Sequence, residues 1–454
     1  MDCPTSFESY TLSPLDHLLP NVYMLGFTSF APQDTHHAVL TLEDAVHWLM
    51  QQLPFLGGEV FSTQTCDKAN VWAVRPTNRA TLKEYPIFRS RTHSQPITFI
   101  QNPRVFDNSF SAFPIEFASR ESYPLIRFQA NIMQDGVILT TSFFHPAMDG
   151  KGYFNVLHTL SGFCRGVENP PLFTYPQLET ETRKKISEIK SCADTTPGQA
   201  SYTNEFVEQE VPLVCRKLFL PTERLKRLRD RCQAEGSGKD GAPMRLTLND
   251  IVCAIAWICM VQARSQIQSQ ATPQSGPISE DTILGTVVDT RASILSEIIH
   301  EGYMGNALLF PVITYPVQSM ANDKGPQLLD SLSEIARRLH HARQGVNMEY
   351  AKSTVVRIQN NSDWGSLWSR ASHGVVSSLR FMKVYDWDFG SNLGFINDFE
   401  MHDSRLGGRC WIMPARPLEA ANWELYLTLE VDAWEHLEKN ALFRWVSGEE
   451  FAML

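Results

Sequence analysis

The sequence predicts an α/β protein of two domains with mixed β-sheets flanked by helices, on three observations. Its 454 residues exceed what one hydrophobic core ordinarily serves, since single cores stop growing near roughly 250–300 residues. Strand-period and helix-period segments alternate without the short regular repeat of a doubly wound βαβ chain, so mixed sheets are expected. The stretch LETETRKKISEIKSCADTTPGQASYTNE, residues 178–205, is polar, and its second half is rich in Ser, Thr, Pro and Gly. Such composition marks a connection between domains. The expected division is residues 1–180, a crossover linker over 181–205, and 206–454, with a second loop at 268–281.

The elements follow from periodicity. Ile126, Phe128, Ala130 and Ile132 alternate with Arg127, Gln129 and Asn131, the pattern of a half-buried strand. Asp135 and Gly136 then form a hairpin turn, and Val137 to Phe144 returns as the partner strand with His145 at its end. Tyr153, Leu157, Leu160 and Cys164 fall at helical spacing and predict a helix over 151–165. LNDIVCAIAWICMVQAR, residues 248–264, is apolar nearly all round and predicts a central helix. A further helix over 327–343 places Leu328, Leu332, Ile335 and Leu339 on one face. Trp423 to Val431 alternates as a strand, after which Asp432 is placed to cap a helix with Glu435 three residues on.

Composition excludes some function classes. The formal net charge of −10 and isoelectric point near 5.7 argue against nucleic-acid binding, which draws its affinity from clustered Lys and Arg. Any anionic ligand then needs a local basic patch. Nine cysteines without a CxxC pair read as reduced thiols and not as a disulfide framework. The N-terminus MDCPTSFESYTL has neither a basic nor an apolar signal region, and no apolar run is read as a membrane span. The expectation is a cytoplasmic monomer that binds no membrane.

The residues that bear on chemistry are FFHPAMDG, 143–150. Pro146 restricts His145 to extended conformations, so His145 ends the strand and does not begin the helix. A strand-end histidine suits a general base, because its pKa lies near working pH. The same residue could equally be a hydrogen-bonded structural histidine. Asp149 could orient the imidazole as in a triad or brace the turn through a distant arginine. The proline turn between the two favours the brace. Gly150 suits a positive φ or a close backbone approach.

HPAMDG matches the HxxxDG signature of the BAHD acyltransferases, and other segments agree in the family's order. These are LSPLDHLLP (12–20), LTLNDIVCAIAW (246–257), VVDTRASI with EGYMGNALLF (287–310), and VSSLRFMKVYDWDFGSNLG (376–394). The chain thus resembles the fungal branch of that family over most of its length. The resemblance implies two chloramphenicol acetyltransferase-like domains with the active-site channel at their interface. It implies acyl-CoA, chiefly acetyl-CoA, as co-substrate, and a small-molecule alcohol such as an alkaloid or terpenoid as acceptor. His145 would be the base, Asp149 would pair with Arg291, Asp388 would sit in a structural ion pair, and Thr247 would lie near the pantetheine arm. The family's DFGWG motif is altered here to Asp388, Phe389, Gly390, Ser391, Asn392, Leu393, Gly394. Ser391 and Asn392 then become candidates for contacts to the thioester, in place of the missing tryptophan.

Arg216, Lys217, Arg224, Lys226, Arg227, Arg229 and Arg231, within 215–232, could meet the coenzyme's phosphates or form a solvated helix face after a Thr222 cap. His36 with His37, and His340 with His341, lack metal-ligand spacing, and no Walker, GxSxG or dinucleotide motif occurs. Two rivals stay open. A condensation domain acting on carrier-protein thioesters has a second histidine where this chain has Phe144, and a catalytically silent binding protein could keep the same fold.

Overall fold

The computed structural model describes residues 6–65, 67–101, 108–113, 121–167, 173–190, 211–235, 244–270, 281–367, 374–402, 406–417 and 422–449. Two main sheets organise them. The first has five strands in the order Asp398–Met401, Tyr23–Phe30, Val137–Phe144, Ile126–Ile132, Phe88–Thr92. Only its last pair is parallel. The second has six strands in the order Val312–Pro316, Asp281–Thr286, Gly374–Ser378, Arg409–Ile412, Asn422–Glu430, Leu213–Pro221. Here the two pairs made by Gly374–Ser378 are parallel and the outer ones antiparallel. Both sheets are therefore mixed, as expected. A smaller antiparallel sheet joins Tyr10–Thr11, Val71–Arg75, Glu59–Thr63 and Ser122–Pro124.

The predicted hairpin forms with Ile132 opposite Val137, and its apolar row packs with helices Thr35–Gln52 and Gly150–Cys164 in one core. Helix Leu248–Gln270 is the centre of the second core, packed by Thr222–Glu235, Gly325–Gln344 and Val431–Leu437. Its segment Leu248–Ile267 is long and apolar enough to cross a membrane, contrary to the expectation that none would be, yet it is mostly buried inside the protein.

Several other expectations are corrected. The strand over 126–132 is not half-buried, for Arg127, Gln129 and Asn131 are buried as well, and the expected strand over 422–430 likewise buries Glu424 and Thr428. Residues 108–113 lie against the polar face of the first sheet. Ser109 and Phe110 carbonyls accept from Gln129 and Asn131, while Arg127 is spent on the carbonyls of Tyr85, Gly57 and Ile126. Polar alternation here marks a second packed face and not a wet one. Asp432 does not cap its helix, which spans Val431–Leu437 with Glu430 at the cap position. Thr222 is the first helical residue of Thr222–Glu235 instead of preceding it.

The boundary at the linker is also displaced. Residues 181–187 belong to helix Pro176–Ser187, and 191–205 lie outside the described residues. Asp398–Met401, placed by sequence in the second half, pairs with Tyr23–Phe30 as an edge strand of the first sheet.

Candidate active site

Strand Val137–Phe144 stops one residue short of His145, contrary to the expectation that His145 would end it: Phe144 is the extended cap residue, and His145 opens a single 3-10 turn, His145–Ala147, before helix Gly150–Cys164. His145 is fixed at its backbone by donating its amide to Val22 O at 3.0 Å. Its Nδ1 lies 3.0 Å from Met148 O. A carbonyl can only accept, so Nδ1 carries the proton and Nε2 is left with a lone pair. The imidazole is set deep among protein atoms but keeps part of its surface open. Burial lowers its pKa, opposed by the Met148 hydrogen bond and the Asp149 charge. The result is a neutral imidazole with Nε2 as its basic nitrogen.

Asp149 does not touch that ring. It caps the following helix, with Oδ1 accepting from Gly152 N at 2.9 Å and Oδ2 from Ala307 N at 3.0 Å. Arg291 Nη2 reaches both oxygens, at 3.0 and 2.8 Å. Burial pushes the Asp149 carboxyl upward, and Arg291 and the amide donors oppose this. The guanidinium is itself fully engaged, by Asp289 at 2.9 Å, Tyr303 O at 3.0 Å and Gly305 O at 2.5 Å. The brace reading of Asp149 thus agrees with the geometry, and a triad does not form.

Gly150 has neither of the features expected of it. Its φ is not positive, and a Cβ there would meet only Leu379 Cδ2, at an ordinary 3.4 Å. The close approach falls at Gly152, whose added Cβ would lie 2.0 Å from Met304 O. This seats the first turn of the helix directly on the Tyr303–Asn306 segment.

Four further candidates are Ser391, Asn392, Asp388 and Thr247. An added Cβ on Gly390 would sit 2.9 Å from Cys164 O, which places the altered DFG loop at the C-terminal end of helix Gly150–Cys164. That helix has 15 residues, about 22 Å at about 1.5 Å per residue, so Ser391 and Asn392 cannot face a thioester held at His145. Both are exposed, and Asn392 Nδ2 donates to Thr41 Oγ1 at 2.9 Å. Asp388 forms no ion pair among the described residues. Its carboxylate turns back to accept from Gly390 N at 2.8 Å, and Arg165 donates to its carbonyl. Gly390 takes a φ of +85° there, a region open to glycine. Thr247 is occupied as a helix cap, its amide and hydroxyl both 2.7 Å from Asp250 Oδ2.

Most of the basic segment is also paired within the protein. Arg216 meets Glu438, Lys217 meets Glu400 and Glu424, Arg224 is bonded to carbonyls of Trp445, Gly448 and Glu449, Lys226 meets Glu223 and Arg229 meets Asp230. Arg227 and Arg231 are exposed.

Sequence reasoning missed Asp16, Glu179 and Arg183, all buried behind the turn. Asp16 Oδ2 accepts from Ser13 N at 2.7 Å and Oδ1 from Asn306 N and Nδ2, each at 2.9 Å. Arg183 Nη1 binds Glu179 at 2.7 Å, and Glu179 also accepts from Met304 N at 2.8 Å. The capping-box spacing of Ser13 and Asp16 inside LSPLDHLLP is the signal that could have found Asp16. Glu179 and Arg183 fall within the stretch read as linker.

This architecture, with a neutral histidine in the turn after a strand, braced at the meeting of two mixed-sheet halves, is that of the two-domain transferases of chloramphenicol acetyltransferase-like fold. Residues 2–443 match the Transferase family, and the chain belongs to that family. The chain is similar to O-acetyltransferase pyr7 of Aspergillus fumigatus, 28% identical over 99% of this chain and 94% of that protein. It is also similar to communesin N16 acyltransferase cnsK of Penicillium expansum, 27% identical over 98% of this chain and 99% of that one. In structure it resembles TRI101 of F. graminearum, solved with coenzyme A and deoxynivalenol, with a TM-score of 0.75 at 18% identity over 97% of this chain and 99% of that one.

Proposed function

We propose that the chain transfers an acetyl group from acetyl coenzyme A to a hydroxyl group of a small secondary metabolite, with His145 as general base. The observation that carries this is the Met148 carbonyl on Nδ1, which leaves Nε2 as the basic nitrogen of the imidazole. Nε2 takes the hydroxyl proton as the oxygen attacks the thioester carbonyl, forming a tetrahedral oxyanion. Collapse breaks the carbon–sulfur bond, and the imidazolium returns its proton to the departing thiolate. No acyl-enzyme is needed. The full-length similarity to pyr7 supports an acetyl group and a hydroxyl acceptor. Similarity to an enzyme named for acylating a nitrogen, cnsK, supports amines as a second acceptor class, and the same base would serve an ammonium-forming attack.

The test is thiol release from acetyl coenzyme A with a panel of alcohols and amines, followed by product mass. Acylated product with wild-type protein and none with His145→Ala is expected. Acceptor and coenzyme binding with no thiol release by the wild type would instead mark a silent binding protein, and release only from carrier-protein thioesters would mark a condensation-type enzyme.

A further inference from the structure

We infer that Asp16 and Asn306 form a positioning relay for His145, fixing the backbone of its turn from behind. The inference rests on His145 being the base. Asn306 Nδ2 lies 2.7 Å from Pro146 O, 3.2 Å from His145 O and 2.9 Å from Asp16 Oδ1. Every one of these partners accepts, so the amide has one orientation. A flipped amide would point its oxygen at two carbonyls and a carboxylate.

Asp16 is what selects that orientation. Its Oδ1 takes both the backbone and side-chain N–H of Asn306, and its Oδ2 is held by Ser13 N, with Arg183 Nε 3.7 Å away. Both residues are fully buried. The same arginine places Nη2 3.5 Å from Ala147 O. The carbonyls of His145, Pro146 and Ala147 are thus all met from one side by groups that Asp16 gathers. The fourth carbonyl, Met148 O, is the acceptor of the imidazole Nδ1. A shift of the first three therefore moves the atom that sets the tautomer of the base. The chain from Asp16 through Asn306 to the turn does for a backbone what the aspartate of a triad does for a ring. It joins segments 290 and 160 residues apart in sequence.

The test sets Asn306→Ala and Asp16→Asn against Ile299→Ala, a truncation in the neighbouring apolar cluster, at a temperature where thermal unfolding shows each variant folded. A base displaced by about 1 Å loses about 100-fold in rate. The relay variants should thus lose about 10- to 100-fold in kcat, keep KM for acetyl coenzyme A within about twofold, and shift the acid limb of the pH–rate profile. Ile299→Ala should lower the melting temperature while keeping kcat and the profile. Where Asp16→Asn does not fold, Asn306→Ser is the second variant. Wild-type kcat and pH profile in folded relay variants, with His145→Ala inactive, overturn the relay and leave the base intact. Full activity in His145→Ala overturns the base reading itself.

Discussion

Arg291 grips both carboxylate oxygens of Asp149 from 142 residues further along the chain, with the arginine 1% and the aspartate 0% exposed. Removing one partner strands a buried charge, a loss of about 3–5 kcal/mol in comparable pairs. Arg291→Met and Asp149→Asn should each lower the urea midpoint strongly. Activity should fall in step with the folded fraction.

His145→Ala should behave differently. Loss of a general base costs about 10²- to 10⁴-fold in rate. The expected variant has a melting temperature close to wild type, binds coenzyme A, and shows almost no product by mass spectrometry. Near-normal turnover would sink the mechanism.

The pH dependence follows from the direction of the His145 shift. Burial lowers its pKa, and the active form is the neutral one. Activity should therefore persist as pH falls through the ordinary imidazole range near 6.5 and be lost only below it. An acid limb of kcat/KM centred above the ordinary imidazole value would contradict this.

His17 makes a separate prediction for stability. Buried, with Nδ1 on Ser13 O and Nε2 accepting from Trp72 N, it has its pKa lowered to about 4, chiefly by burial. The unfolded chain then binds the proton more readily, so stability holds above about pH 6.5 and declines as pH falls toward about 4. At about 1.4 kcal/mol per pH unit the decline amounts to about 3 kcal/mol. Urea midpoints at pH 7 and pH 5 should show it, and His17→Gln should flatten the difference.

Two glycines two residues apart, Gly150 and Gly152, should respond in opposite ways to alanine. At Gly152 the new carbon would collide with a main-chain oxygen at 2.0 Å, and at Gly150 it would meet a leucine methyl at 3.4 Å. Gly152→Ala should fail to give soluble folded protein. Gly150→Ala should fold with a nearly unchanged melting temperature, as circular dichroism would report.

Much of this was legible from one sequence because the signals are local. The hairpin over 126–144 and the helix after it follow from side-chain period, and Pro146 announces the turn, although the strand ends at Phe144 and His145 already belongs to the 3-10 turn. The Asp149–Arg291 pair was reached through the resemblance of segment 287–310. What escaped is held by long-range contacts; the capping-box spacing at Ser13 and Asp16 marks a helix start but not its distant partner. Asp16 meets Asn306 across 290 residues, and Glu179 with Arg183 looked like solvated linker charge. The reading of Ser391 and Asn392 erred because proximity to a motif in sequence says nothing about which end of a 15-residue helix the motif packs on.

The strand Asp398–Met401, lent by the later part of the chain to the sheet that carries His145, makes the two halves unequal as building blocks. Cutting at residue 190 would leave Tyr23–Phe30 with an open edge, a surface that invites aggregation, and would free a short segment with no sheet to join. Recombining halves between homologous enzymes to trade acceptor preference should therefore carry residues 398–401 along with the first half. Crossovers that ignore this are expected to yield insoluble chimeras, and those that respect it are expected to yield soluble ones.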